Sequence, residues 1–235
     1  MLIKKAIILS AGYGRRLNPI TFSKPKPLLK INNKTLLENT IHFLEKFGVE
    51  KIVINTHYLS GQIAKFISSK KFVSKIILIE EKKEILNTGG GVLNAAKIFN
   101  NEPFFVLNPD TIWSSSYMED FKNMEKKYFE NNYRPVLLVV DKQKSFDKTM
   151  VGDFNLKKNI LNRENKEKKY IYTGSQLLNN SVFKSKKIRS FSMNLIWDAL
   201  IKNNHLLGVK SQQNFVHITN LKIYNKLIKK KLKFN

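Results

Sequence analysis

The sequence predicts an α/β protein, a mainly parallel sheet flanked by helices with a small β-hairpin subregion. Three observations lead there. Apolar runs of strand length alternate with amphipathic segments of helical period through the first half of the chain. A loop dense in glycine, proline and basic residues follows the first apolar run directly. After Trp113 the alternation gives way to two neighbouring β-type segments, residues 151–161 and Tyr170–Leu178, linked by the lysine-rich stretch 162–169.

The first predicted strand is 6–9, Ala-Ile-Ile-Leu, apolar on both faces as a buried parallel strand must be. Residues 51–55, 75–79 and Phe104–Leu107 repeat that character. Between them, 35–47 and 61–67 have helical spacing, and Leu36, Leu37, Ile41, Leu44 and Phe47 share one face, which is core rather than chemistry. Thr88-Gly89-Gly90-Gly91 reads as a glycine loop opening a helix over 92–99, and helix N-termini favour anions. Beyond Trp113 the pattern predicts a helix over 117–129 and a strand over 135–140, then the paired strands 151–161 and Tyr170–Leu178. A helix over 193–202, a short strand over 214–218 and a closing helix over 221–232 complete the chain. A hairpin across the carboxyl end of the sheet is where a ligand pocket would be built. There is no internal repeat, and no hexapeptide array that would form a β-helix.

The 235 residues suit one domain, 1–235. With no cysteine there is no disulfide framework, thiolate metal site or thiol nucleophile. The net charge of +24 comes overwhelmingly from lysines spread along the chain, without a helix-turn-helix, zinc-finger or RNA-binding signature. No specific nucleic-acid partner is expected, only salt-sensitive adhesion to polyanions. No apolar stretch reaches membrane-spanning length and residues 1–9 are too short for a signal core, so the expectation is a cytoplasmic protein without membrane contact.

Residues 10–31 hold the chemistry. Gly12 and Gly14 let the backbone turn steeply and come close to a ligand, so that successive N–H groups can face phosphate oxygens. Arg16 and Lys26 add positive charge, and Pro25 and Pro27 stiffen the chain around Lys26. A dinucleotide fingerprint is excluded because Leu17 stands where a third Gly or Ala is needed, and the Gly-Lys-Ser/Thr of a Walker A loop is absent. Asp110 follows the strand Phe104–Leu107 directly, which puts it at the carboxyl edge of the sheet.

The whole string resembles the signature of the sugar-1-phosphate nucleotidyltransferases, Ala-Gly-x-Gly-x-Arg-Leu-x-Pro-x-Thr followed by Pro-Lys-Pro-Leu, and matches it at each of those positions from Ala11 to Leu28. Leu86-Asn87-Thr88-Gly89-Gly90-Gly91 is similar to the family's Leu-x-Thr-Gly-Gly segment. The segments 53–63, 151–154 and 172–174 also resemble it, and the similarity runs from residue 3 to about residue 225. The resemblance implies a Rossmann-like sheet, with an NTP-binding half at 1–113 and a sugar-phosphate half with the closing helix at 114–235. It implies catalytic roles for Arg16, Lys26 and Asp110. NTP binding would fall to Ala11, Gly12, Gly14, Lys26 and Gly90, with Gly90 under the nucleobase. Asn108, Asp153 and Gly174 would meet the sugar substrate.

In such a reaction the nucleophile is a phosphate oxygen that is already ionised, so neither a side-chain base nor a covalent nucleophile is required. The protein has to align two polyanions and neutralise charge as pyrophosphate leaves, which calls for Mg²⁺ on Asp110 together with Arg and Lys. The three consecutive glycines and Gly152-Asp153-Phe154 are most similar to the N-acetylmuramate α-1-phosphate uridylyltransferase branch. UTP and N-acetylmuramate 1-phosphate are therefore the expected substrates, giving a nucleotide sugar for envelope glycan metabolism such as peptidoglycan recycling. Mannose-1-phosphate guanylyltransferase is the nearest alternative and phosphocholine cytidylyltransferase a more remote one. A catalytically silent nucleotide-sugar-binding paralogue is the alternative of a different class. The sequence departs from the family in two places. Pro109 stands between Asn108 and Asp110 where the family has glycine, and His217 stands where it has a second metal carboxylate. Of the other histidines, His42 and His205 read as surface residues and His57 as a candidate for the rim of the site.

Overall fold

The structure, a computed structural model, describes residues 3–184 and 186–230. β1 (Lys5–Leu9) leads through the glycine loop, folded as three single 3₁₀ turns, to the ribbon β2 (Lys30–Ile31) and β3 (Lys34–Thr35). α1 (Leu36–Phe47) starts in a capping box: Thr35 Oγ1 accepts from the Glu38 N–H at 3.1 Å while the Glu38 carboxylate accepts from the Thr35 N–H at 3.4 Å. There follow β4 (Lys51–Thr56), α2 (Ser60–Ser68), β5 (Lys75–Glu80), α3 (Asn87–Ala96), β6 (Phe104–Leu107), α4 (Met118–Glu130) and β7 (Val136–Asp141). The last part holds β8 (Asn155–Lys157), β9 (Ile160–Asn162), β10 (Tyr170–Leu178), α5 (Asn194–Lys202), β11 (Leu207–Ser211) and α6 (Leu221–Lys230).

Among the described residues one nine-stranded sheet runs in the order β5-β4-β1-β6-β10-β7-β11-β9-β8. β5, β4, β1 and β6 are mutually parallel, β10 is antiparallel to both β6 and β7, and β11 is parallel to β7. The sheet is mixed and mostly parallel, the predicted Rossmann-like class. Successive side chains point to opposite faces, and the central strands β6 and β7 are buried throughout because helices cover both faces. Ala6 and Ile8 meet Leu37, Ile41 and Leu44 of α1 and Phe121 and Met124 of α4 on one face. Ile7 meets Val92, Ala95 and Ala96 of α3 and Ile196 and Trp197 of α5 on the other. α6 closes the site end of the molecule, where Ile223, Tyr224 and Leu227 pack with Leu17, Leu29 and Ile31 from the glycine loop and its ribbon.

Three expectations are corrected. The glycine run 89–91 is not a loop but lies inside α3, which begins at Asn87 and gives way to a 3₁₀ turn over Lys97–Phe99. The price of three glycines in a helix is accepted because neighbours press against them: a Cβ on Gly90 would run into the carbonyl of Arg189. Residues 151–161 are not one strand paired with Tyr170–Leu178. The chain reverses instead at Lys158 and Asn159, both at positive φ, so that β8 and β9 form the hairpin and extend the far edge of the sheet. β10 makes a single bridge to the earlier segment, between Phe154 and Tyr170, and sits in the centre of the sheet. Residues 214–218 make single bridges, Ser145 to Phe215 and Thr111 to His217, rather than a ladder, while the real strand there, β11, has a glycine at its second position that blurs its pattern. The predicted closing helix forms as far as Lys230, and 231–232 lie outside the described residues.

Candidate active site

A cavity of about 400 Å³ opens at the carboxyl ends of β1 and β6, where ligands meet open α/β sheets. Ala11, Gly12, Gly14, Arg16 and Lys26 line it from the glycine loop, Asn55 from β4, Asn87 and Thr88 from the first turn of α3, and Asn108 and Asp110 from the segment after β6. The two loop glycines do different work. Gly14 has φ 68°, and a Cβ there would stand 3.1 Å from both Thr21 and Lys26, so only glycine lets this turn hold Lys26 in place. At Gly12 nothing lies within 4 Å of the position a Cβ would take, which leaves an open cradle against the cavity.

Lys26 does not stand free: its ammonium donates to Asp110 Oδ2 in a pair that is largely buried. Asp110 Oδ1 is buried without a hydrogen-bond donor, 3.6 Å from His217 Nδ1. Burial opposes the charge on Asp110, but His217 and Lys26 outweigh it and hold the carboxyl well below the usual carboxylate range. His217 is itself pushed below the ordinary imidazole value, first by burial and then by Lys26 and Arg16, against the pull of Asp110. His217 and the directly paired Lys26 thus both favour the ionised form of Asp110.

The hydroxyl of Thr111 donates to the Thr173 carbonyl at 2.7 Å and so can only accept at His217 Nδ1, 3.0 Å away. That places an imidazole proton on Nδ1, facing Thr111. The segment carrying His217 is pinned one turn further on. Asp147 is buried and accepts from the hydroxyl of Thr219 and from the N–H and hydroxyl of Thr149 at 3.0 and 2.7 Å. Those donors prevail over burial and lower its pKa.

Four expected site residues lie outside the cavity lining, His217 behind Asp110 being one of them. Gly90 is packed in α3 beneath Arg189, and its N–H donates to the Phe191 carbonyl at 3.2 Å. Gly174, at φ 92°, lies beneath Asn108, whose N–H donates to its carbonyl at 2.8 Å. The Asp153 carboxylate accepts from the Tyr172 N–H at 2.8 Å, and burial raises its pKa. His57 Nδ1–H donates to the Glu81 carbonyl at 2.6 Å and its Nε2 faces the Tyr13 hydroxyl at 3.3 Å. His42 and His205 are exposed, as expected. Thr111, Asp147 and Glu81 carry no sequence signal, since each has a partner far along the chain: His217, Thr219 and Asn55 in turn.

The family model described as nucleotidyl transferase matches residues 5–148, which include the glycine loop, Lys26 and Asp110. The chain belongs to the nucleotidyl transferase family. Within this family it is 33% identical over 113 residues to N-acetylmuramate alpha-1-phosphate uridylyltransferase of Caulobacter vibrioides, 47% of each chain. It is 37% identical over 127 residues to mannose-1-phosphate guanyltransferase beta-B of Xenopus laevis, 53% of this chain and 35% of that one. The matched segments span less than half the length of these curated relatives. The transferase fold is shared with the inositol-1-phosphate CTP transferase of T. maritima at a TM-score of 0.80 and 17% identity, covering 98% of this chain and 97% of the other.

Proposed function

We propose that the chain transfers a nucleotidyl group from a nucleoside triphosphate to a sugar 1-phosphate, with UTP and N-acetylmuramate 1-phosphate as the first pair. The observation that carries this proposal is the Lys26–Asp110 pair beside the open Gly12 cradle, where a cation, an ionised acid and an uncrowded glycine line one cavity. A phosphate oxygen of the sugar phosphate attacks the α-phosphorus, a new P–O bond forms, the bond to the β-phosphate oxygen breaks, and pyrophosphate leaves with the electron pair. No proton has to move. Arg16 and Lys26 set the polyphosphate in line and neutralise charge that grows on the leaving group.

Mg²⁺ fits the donors present. Asp110 Oδ1 is a buried anionic oxygen with no protein donor, the kind of ligand a hard divalent ion prefers. When bound, the ion would supply Lewis-acid stabilisation of the phosphates. Among the described residues no group of three or more His, Cys, Asp or Glu side chains is placed to cage a metal, so Asp110 would hold the ion with substrate phosphates and water completing the shell.

The similarity to mannose-1-phosphate guanyltransferase favours GTP and mannose 1-phosphate as the second pair. His217 favours a third reading, a nucleotide-sugar-binding protein without turnover. Pyrophosphate release, measured with Mg²⁺ and a panel of NTPs and sugar 1-phosphates, separates them. Release with UTP and N-acetylmuramate 1-phosphate is expected; release confined to GTP and mannose 1-phosphate moves the assignment to the second pair, and binding without release moves it to the third.

A further inference from the structure

A buried hydrogen-bond chain crosses the back of the cavity and joins its two walls. The Ser10 N–H, at the head of the glycine loop, donates to Asn55 Oδ1 at 2.9 Å and more weakly to the Asn55 main-chain carbonyl at 3.2 Å. Asn55 Nδ2 donates to Glu81 Oε1 at 2.7 Å, and Glu81 Oε2 accepts from the Leu86 N–H at 2.7 Å, directly before α3 and its cavity-lining Asn87 and Thr88. Asn55 and Glu81 are both buried, at 3% exposure each. Gly91 leaves the room they need, since a Cβ there would stand 2.7 Å from Asn55 Nδ2 and 2.9 Å from Glu81 Oε1.

The polarity of this chain is set at both ends. Ser10 and Leu86 each present a backbone N–H, which can only donate, so the two side chains between them must offer an acceptor outward at each end and one donor inward. One amide and one carboxylate satisfy this. Two amides would leave donor facing donor, and two ionised acids would put like charges in contact.

We propose that Asn55 and Glu81 are positioning residues that hold the phosphate loop and the start of α3 in register for the nucleotide. This proposal rests on the nucleotidyl-transfer function given above. Either order of amide and acid meets the geometry, so exchanging the two residues should preserve the chain of hydrogen bonds where either single change breaks it.

The test is a double-mutant cycle with two readouts, amide hydrogen exchange at Ser10 and Leu86 and equilibrium titration with Mg·UTP and Mg·GTP. Glu81→Gln and Asn55→Asp alone are each expected to lose at least ~10-fold protection at one of the two amides and to weaken nucleotide binding by at least ~10-fold. The doubly substituted protein is expected to recover both to within about 3-fold of wild type. Unchanged protection in the single variants, or no recovery in the double variant, overturns the proposal. Recovery of protection without recovery of binding also overturns it, because Asn55 would then act on the nucleotide directly. A wild type that binds neither nucleotide removes the nucleotide-transfer function instead, and the exchange data still decide whether the two walls are joined.

Discussion

The two oxygens of Asp110 have different neighbours: Oδ2 takes the Lys26 ammonium, and Oδ1 lies buried with no donor. Asp110→Asn keeps the size and removes the charge, so turnover should fall by at least ~10²-fold while the melting temperature holds, a loss typical of a strong electrostatic contribution to a transition state. Near wild-type turnover would show that this carboxylate does not carry the metal. Lys26→Ala should weaken NTP binding and turnover together, whereas Lys230→Ala, on α6 with its ammonium over the Phe146 ring at 5.4 Å, should change neither. Equal losses from both would assign the effect to diffuse charge. His217→Ala should cost only about 1–2 kcal/mol of transition-state stabilisation in kcat/KM, since its Nδ1 donates a single hydrogen bond to Thr111. Most of this site was legible because glycine, arginine, lysine and aspartate stand in short segments where residue type and chemistry coincide. Thr111 and Asp147 were not, because a threonine or aspartate acquires its role only from what folding brings beside it.

α3 shows what limits such inference for whole elements. Three consecutive glycines ordinarily break a helix, and the Phe191 ring, the backbone of Arg189 and Phe191 and the Asn55–Glu81 pair pressing on them make glycine the residue that fits. Propensity cannot carry that information, whereas the parallel strands announced themselves as continuous apolar runs. α1 was equally legible, and its cap can be tested: Thr35→Ala should cost about 1 kcal/mol in urea unfolding, with little effect on turnover. Between α4 and β11, Asp120 accepts from the Ser211 hydroxyl at 2.6 Å, and burial raises its pKa. The folded state therefore opposes ionisation of this acid more than the unfolded state does, and the penalty is present at neutral pH and fades as pH falls through the raised value. Asp120→Asn, which keeps an acceptor for Ser211, should be more stable than wild type at pH 7, and the gap should close toward pH 4. A gap that widens on acidification would contradict this.

For the molecule as a whole, the charge of +24 should show as retention on a polyanion column that collapses as salt rises, with no preference among nucleic-acid sequences; a salt-insensitive or sequence-selective complex would contradict that. The central place of β10 has a consequence for how the protein is made. Residues 5–148, the span matched by the family model, end before this strand is synthesised. Until then β6 has its β1 neighbour on one side and a bare row of N–H and C=O groups on the other, and β7 has nothing to join it to β6. The ribosome thus releases an apolar, open-edged sheet for as long as the next thirty or so residues take to emerge, on the order of seconds at usual elongation rates. A fragment stopped at residue 148 should accumulate as aggregate rather than as a small soluble domain, and chaperone demand in the cell should peak before residue 178 has emerged.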